Sequence, residues 1–372
     1  MKKIKVCHFT SVHSWNDIRI FEKECVSLAE AGFEVHLVAP NALEGIHKNV
    51  RVHTVDFRPK SRIDRMRRLA SKVYQKALAV DADIYHFHDP ELLPYGLKLQ
   101  KKGKKTIYDS HEDVPLDILD KEWIQPGIVR KGLSYFYDRY EKRVAKQLSG
   151  VVSVLESITE KFAPVNRVTI HNFPRSEDFP PAKQDETDTG TIPVYKVVYN
   201  GGLTAVRGID KMTAAFSHLD NRFRLVLMGN WESPEFEEKC KNTPGWEKVT
   251  YLGNLKLDAC FAEVQSAHIG LVLFGKIPNH LNSLPNKSFE FIAARLPMLM
   301  SDIPFWQTEF GAYAHFADPE NPKEIAAQIA KIAENYPAEK EKSIRESKKI
   351  LQTKTWDNEK NKLVSFYKKI HL

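Results

Sequence analysis

The residues best equipped for chemistry sit directly behind short apolar runs. Tyr199-Asn200-Gly201-Gly202-Leu203-Thr204-Ala205-Val206-Arg207-Gly208 is such a run, followed by a glycine-bearing turn and a cation at a helix start. Side-chain-free positions let backbone approach a ligand closely, and a guanidinium forks onto phosphate. Leu284-Pro285-Asn286-Lys287-Ser288-Phe289-Glu290 has the same form: Pro285 suits the first helical position, Lys287 is cationic, and Glu290 follows about one turn later. A phosphate on the helix-start amides with Glu290 on a ribose diol makes a nucleotide diphosphate site. An ordinary amphipathic helix start is the plainer alternative.

The first half has its own polar strand ends. Thr106-Ile107-Tyr108-Asp109 delivers Ser110-His111-Glu112-Asp113, an imidazole flanked by carboxylates. Such a histidine donates to an anion or a sugar hydroxyl, and His111 is the strongest polar candidate there. In Asp83-Ile84-Tyr85-His86-Phe87-His88-Asp89-Pro90-Glu91, strand alternation puts His86 and His88 on one face. No third ligand of clear spacing accompanies them, so satisfied histidines are favoured over a metal site. Asp81-Ala82-Asp83 has the acidic spacing of some metal-dependent sugar transferases but precedes its strand. Thr10-Ser11-Val12-His13-Ser14-Trp15-Asn16-Asp17-Ile18-Arg19 is a polar turn opening a helix, where amides favour an anion. The alternative is that Asp17 merely caps the helix and Arg19 is solvated. There is no G-x-G-x-x-G, so a dinucleotide fingerprint is unsupported.

These residues require a scaffold that gathers strand ends. Apolar runs of four to seven residues alternate with helical periodicity along the chain, the pattern of parallel sheets wrapped by helices. Strands are expected at Ile4–Phe9, Val35–Ala39, Val50–Phe57, Ile84–Phe87, Thr106–Asp109, Val151–Val154 and Val168–His171. After a proline-bearing polar stretch they resume at Tyr195–Tyr199, Phe223–Met228, Val249–Leu252, His268–Phe274 and Met298–Met300. This predicts two doubly wound α/β domains, 1–178 and 193–354, joined by a linker at 179–192. From Pro322 the pattern is helical, and the last helix, 355–372, carries Trp356, Leu363, Phe366 and Tyr367 as an apolar stripe.

The 372 residues suit two domains, and 42% apolar with 28% charged content excludes disordered and fibrous classes. Residues 1–175 hold 30 basic and 22 acidic side chains, residues 176–372 hold 25 and 26, so the net charge of +7 arises in the first half. Arg58, Lys60, Arg62, Arg65, Arg67, Arg68, Lys72 and Lys76 lie on a basic amphipathic helix over 58–78, suited to an anionic membrane surface or to solvent. With no recognised nucleic-acid module, nucleic acid is not an expected partner. Four scattered cysteines suggest a reducing compartment. The apolar run at the amino terminus is too short for a signal segment, and no window reaches 18 apolar residues, so a cytoplasmic location is expected.

Four stretches, Ile18–Glu24, His86–Pro94, Thr106–Pro115 and Pro285–Phe291, together resemble family 4 glycosyltransferases along essentially the whole chain. The resemblance implies the GT-B fold, two Rossmann-like domains facing across a cleft with the last helix crossing back to the first. It also implies a nucleotide-sugar donor held mainly by the second domain, an acceptor held mainly by the first, retention of anomeric configuration, and no metal or other cofactor. Carried over by motif, Arg207 and Lys287 contact the donor diphosphate, Gly201 and Gly202 pass close to it, and Glu290 takes the ribose. Gly229 and Gly253 lie near the base, Asn282 and Asn286 complete the donor side, and His111 reaches the transferred sugar. Asp17, Arg19, His88 and Glu112 stand on the acceptor side. Three positions depart from the family: Asn282 replaces the first of its paired glutamates, Gly202 an arginine, and Arg295 a glycine. The expected activity is hexosyl transfer from a UDP- or GDP-sugar to a glycan or lipid-linked acceptor in cell-surface polysaccharide synthesis, by a cytoplasmic enzyme that can sit on the inner face of the membrane. The alternatives are a sugar-nucleotide epimerase of the same architecture and a non-catalytic membrane scaffold.

Overall fold

The computed structural model describes residues 3–121, 124–175 and 194–372. The expected linker at 179–192 lies outside them. The chain divides into two compact units, Met1–Asn172 with Trp356–Leu372, and Phe173–Thr355.

The first unit is built on eight strands: β1 (Lys5–Phe9), β2 (Glu34–Pro40), β3 (Gly45–His47), β4 (Val50–Val55), β5 (Ile84–Phe87), β6 (Lys105–Ser110), β7 (Gly150–Ser153) and β8 (Arg167–Thr169). Their order is β3-β4-β2-β1-β5-β6-β7-β8, parallel except for the β3–β4 pair. β1, β5 and β6 are adjacent, with His8 opposite His86 and Phe87 opposite Tyr108. Their residues are buried on both faces, as parallel strands covered by helices must be. The three polar strand ends therefore converge on one edge.

The second unit has six parallel strands, β9 (Tyr195–Asn200), β10 (Phe223–Met228), β11 (Val249–Tyr251), β12 (Ile269–Val272), β13 (Met298–Ser301) and β14 (His315–Ala317), in the order β11-β10-β9-β12-β13-β14. A separate core of Val197, Leu225, Leu271, Phe291, Met300 and Ile329 fills it. Neither β3 nor β14 was expected.

The helix Trp356–His371 belongs to the first unit. Trp356, Leu363, Phe366, Tyr367 and Ile370 bury its apolar stripe among Val6, Ile84 and Ile107, and Trp356 Nε1 donates to Ser27 Oγ at 2.9 Å. The basic helix starts later than expected. Ser61 Oγ accepts from the Asp64 amide at 3.1 Å and caps Arg62–Asp64, winding then runs through to Val80, and residues 58–61 with Pro59 stay outside it. Arg65 pairs with Glu91, while Arg68 and Lys72 lie over the Phe57 ring.

Candidate functional site

In the second unit, Gly201 follows β9 with φ +126°, a conformation that disfavours side chains. A Cβ there would lie 3.0 Å from Lys287 Nζ and 3.2 Å from Arg207 Nη1, so the bare backbone makes room for two cations. At Gly229 (φ +142°), after β10, a Cβ would overlap the Gly201 carbonyl oxygen at 1.8 Å. The Gly229 amide donates to the Gly253 carbonyl at 2.8 Å, linking the ends of β10 and β11.

Lys287 lies in the first turn of the helix Asn286–Ala293 and is buried, its ammonium 4.8 Å from the Tyr199 ring centre and 5.0 Å from that of Phe274. Pro285 is the cap rather than the first helical residue. Burial, then the nearby Arg207 charge, hold the Lys287 ammonium down to about 7. Among the described residues nothing ion-pairs with Lys287. Glu290 accepts from Asn200 Nδ2 at 2.7 Å, which fixes its carboxylate beside the two cations. Asn200 Oδ1 and Ser288 Oγ are buried with no hydrogen-bond partner among the described residues. Asn282 and Asn286 are exposed nearby in sequence, Asn282 ending the short helix Pro278–Leu281.

Arg295 has φ +54° where the family keeps glycine. Its amide donates to Ile292 O at 3.0 Å, and the Leu296 amide donates to Phe291 O at 2.9 Å, the paired bonds of a left-handed helix stop. The position closes the Lys287 helix.

In the first unit His111 lies at the end of β6, its Nε2 2.8 Å from Asp109 Oδ2. Asp109 is fully buried and also receives Arg19, with Nη2 3.2 Å from Oδ1. Burial opposes ionisation of Asp109, but Arg19 and then His111 outweigh it and hold the carboxyl well below its usual range. An ionised Asp109 only accepts, which puts the His111 proton on Nε2 and leaves Nδ1 as its free ring atom.

The same logic orders the buried histidines behind it. His88 Nδ1 approaches Asp109 Oδ2 at 3.3 Å and must donate, so His88 Nε2 accepts from His8 Nδ1 at 2.9 Å. His8 Nε2 then accepts from the Tyr367 hydroxyl at 3.0 Å, which in turn accepts from His86 Nδ1 at 2.6 Å. Burial keeps His8 and His86 neutral and brings His88 down to about 4. His8, Glu24, His86 and His88 are close enough to surround a cation. Within the chain His8 Nδ1, His8 Nε2, His86 Nδ1 and His88 Nε2 are hydrogen-bonded, whereas His86 Nε2 and both Glu24 carboxylate oxygens have no hydrogen-bond partner among the described residues.

Two of the residues expected on the acceptor side are buried: Arg19 is 5% exposed, tied to Asp109, Glu24 and the Ile170 carbonyl, and His88 is 2% exposed, so both pack behind His111. The winding explains Arg19: over Ile18–Cys25 the helix is of the wide π type, bringing Glu24, five residues on, to 3.2 Å from Arg19. Asp17 caps that helix through the Arg19 and Ile20 amides and sits 3.6 Å from His13. Glu112 is exposed. The sequence reading did not single out Asp109, His8, Tyr367 or Asn200. The signal for Asp109 was present, two residues before His111 on the same strand face.

Residues 23–173 match the family described as Glycosyltransferase Family 4, and residues 192–350 the one described as Glycosyl transferases group 1. By sequence, no curated protein matches the chain. Among solved structures, sucrose-phosphate synthase from Thermosynechococcus elongatus superposes with a TM-score of 0.76 at 13% identity, covering 99% of both chains. A glycosyltransferase from Rickettsia africae gives 0.72 at 14%, covering 100% of this chain and 99% of its own. Anabaena HepE in complex with UDP gives 0.69 at 13%, covering 98% and 100%. These neighbours share the two-unit GT-B fold.

Proposed function

The chain belongs to the group 1 glycosyltransferases, with a family 4 first half, and on that premise we propose that it transfers a hexose from a UDP- or GDP-sugar to a glycan or lipid-linked acceptor, with retention and without a metal. The observation that carries the reading is the closeness of Arg207 and a buried Lys287 at glycine-lined strand ends, with no ion-pair partner for either among the described residues and Glu290 as the carboxylate nearby. Two cations forced together in low dielectric fit a diphosphate. As the sugar departs, the diphosphate gains charge, and donors already aimed at it lower the barrier; losing one typically costs about 3–4 kcal/mol. Glu290, held by Asn200, is set to accept from a ribose diol. His111, its tautomer fixed by Asp109, offers Nδ1 to the transferred sugar. The acceptor belongs to cell-surface polysaccharide synthesis in this reading, and a relative that acts on sugar phosphates does not decide it.

The test is incubation with a panel of UDP- and GDP-sugars and lipid-linked or free glycan acceptors, with products resolved by mass and anomeric NMR. Transfer with retained configuration is expected. A changed sugar still attached to its nucleotide would replace the proposal with epimerisation.

A further inference from the structure

The helix Gly127–Ala145 is apolar on the side facing away from its own domain. Val129, Leu133, Phe136 and Tyr140 recur at spacings of four, three and four, one helical face, and all are exposed, Phe136 by 70%. Ile128, 77% exposed, and Tyr135 widen the stripe. The opposite face, with Ser134, Glu141, Val144 and Ala145, is the buried one. This helix thus satisfies its own core and still presents a second apolar surface. Contiguous exposed apolar area of this kind marks an interaction site.

The charges around the stripe have one sign. Lys131, Arg139, Arg143 and Lys146 are exposed along this segment. Its two acids are engaged elsewhere, Asp138 with Lys142 at 2.8 Å and buried Glu141 with the Tyr108 hydroxyl at 2.8 Å. Elsewhere in the first unit Ile63 and Met66 are exposed beside Arg62 and Arg67.

We propose that this face docks on an anionic lipid bilayer, with the helix lying in the headgroup plane. Aromatic and aliphatic side chains enter the acyl boundary while the flanking cations meet lipid phosphate. A second copy of the chain fits less well, since docking through this stripe sets Arg139 and Arg143 near their counterparts, and both carboxylates of the helix, Asp138 and Glu141, are already engaged. The proposal does not depend on the donor site and assigns the docking role to a different helix from the one the sequence suggested.

Vesicle co-sedimentation tests it, with phosphatidylcholine vesicles containing or lacking phosphatidylglycerol. Binding is expected only with the anionic lipid and is expected to weaken with salt. Leu133→Ser with Phe136→Ser, and separately Arg139→Glu with Arg143→Glu, are each expected to weaken it at least tenfold. All four side chains are exposed, so both variants should melt like wild type. Absence of binding, or equal binding by wild type and variants, overturns the proposal. So does a solution dimer that the Leu133→Ser, Phe136→Ser pair dissociates, which would assign the stripe to a second copy.

Discussion

Replacing Lys287 with methionine is expected to stabilise the second unit while removing its affinity for nucleoside diphosphates. The ammonium is held from 10.5 down to about 7, chiefly by burial. A depression of that size corresponds to about 5 kcal/mol at roughly 1.4 kcal/mol per tenfold change. Attraction to the Tyr199 and Phe274 rings offsets about 1–2 kcal/mol when the group is charged, leaving about 3 kcal/mol as the cost of keeping it. The sign follows from proton linkage. Between about pH 7 and 10.5 the unfolded chain holds a proton that the folded one lacks, so wild-type stability rises with pH across that window. The full cost applies below pH 7, and the variant's advantage should be largest there and be lost, then reversed, as the pH rises through the window. Methionine keeps the stem against both rings, and about 3 kcal/mol should raise the melting midpoint by roughly 6–12 °C at pH 6. Calorimetry from pH 6 to 10, with titration of UDP and GDP, reads both effects. Diphosphate binding near pH 8 should also take up a proton in wild type and not in the variant. A variant that melts lower at pH 6, or that binds the diphosphate as tightly as wild type, refutes the reasoning.

Other consequences are open to direct measurement. Glu290→Gln with Asn200 intact should keep the fold and lower turnover at least tenfold, read as kcat/KM with the accepted donor, and unchanged turnover would remove Glu290 from ribose binding. Asp109→Asn leaves Arg19 buried without its ionised partner and should cost about 3–5 kcal/mol by denaturant unfolding. Arg295→Gly relieves the left-handed backbone and should gain about 1 kcal/mol without changing turnover.

Much of the architecture was readable because parallel strands buried on both faces announce themselves as unbroken apolar runs, and because glycine turns followed by cations stand out directly behind such runs. Arg207, Lys287, Gly201 and Gly229 lie close together at the strand ends, and Asn200 holds Glu290 there. What local pattern misses is long-range pairing. Arg19 reads as a solvated helix-start residue until the sheet brings Asp109 beside it, and Tyr367 reads as one more apolar stripe residue until its hydroxyl meets His8 and His86. The π-type winding that brings Glu24 to Arg19 leaves no mark in the apolar spacing. Exposure is equally invisible: the periodicity of Gly127–Ala145 is that of a helix covering a core, and only the fold shows which side faces away.

The central claim is that Arg207 and Lys287 form a diphosphate site, and calorimetric titration of UDP, GDP, ADP, dTDP and CMP into wild type and Arg207→Ala tests it most directly. The account expects saturable binding of one diphosphate by wild type, weakened about 100-fold or more in the variant, in line with the loss of a charge-assisted phosphate contact. Wild-type affinity in Arg207→Ala, or no binding of any of the five, would contradict it.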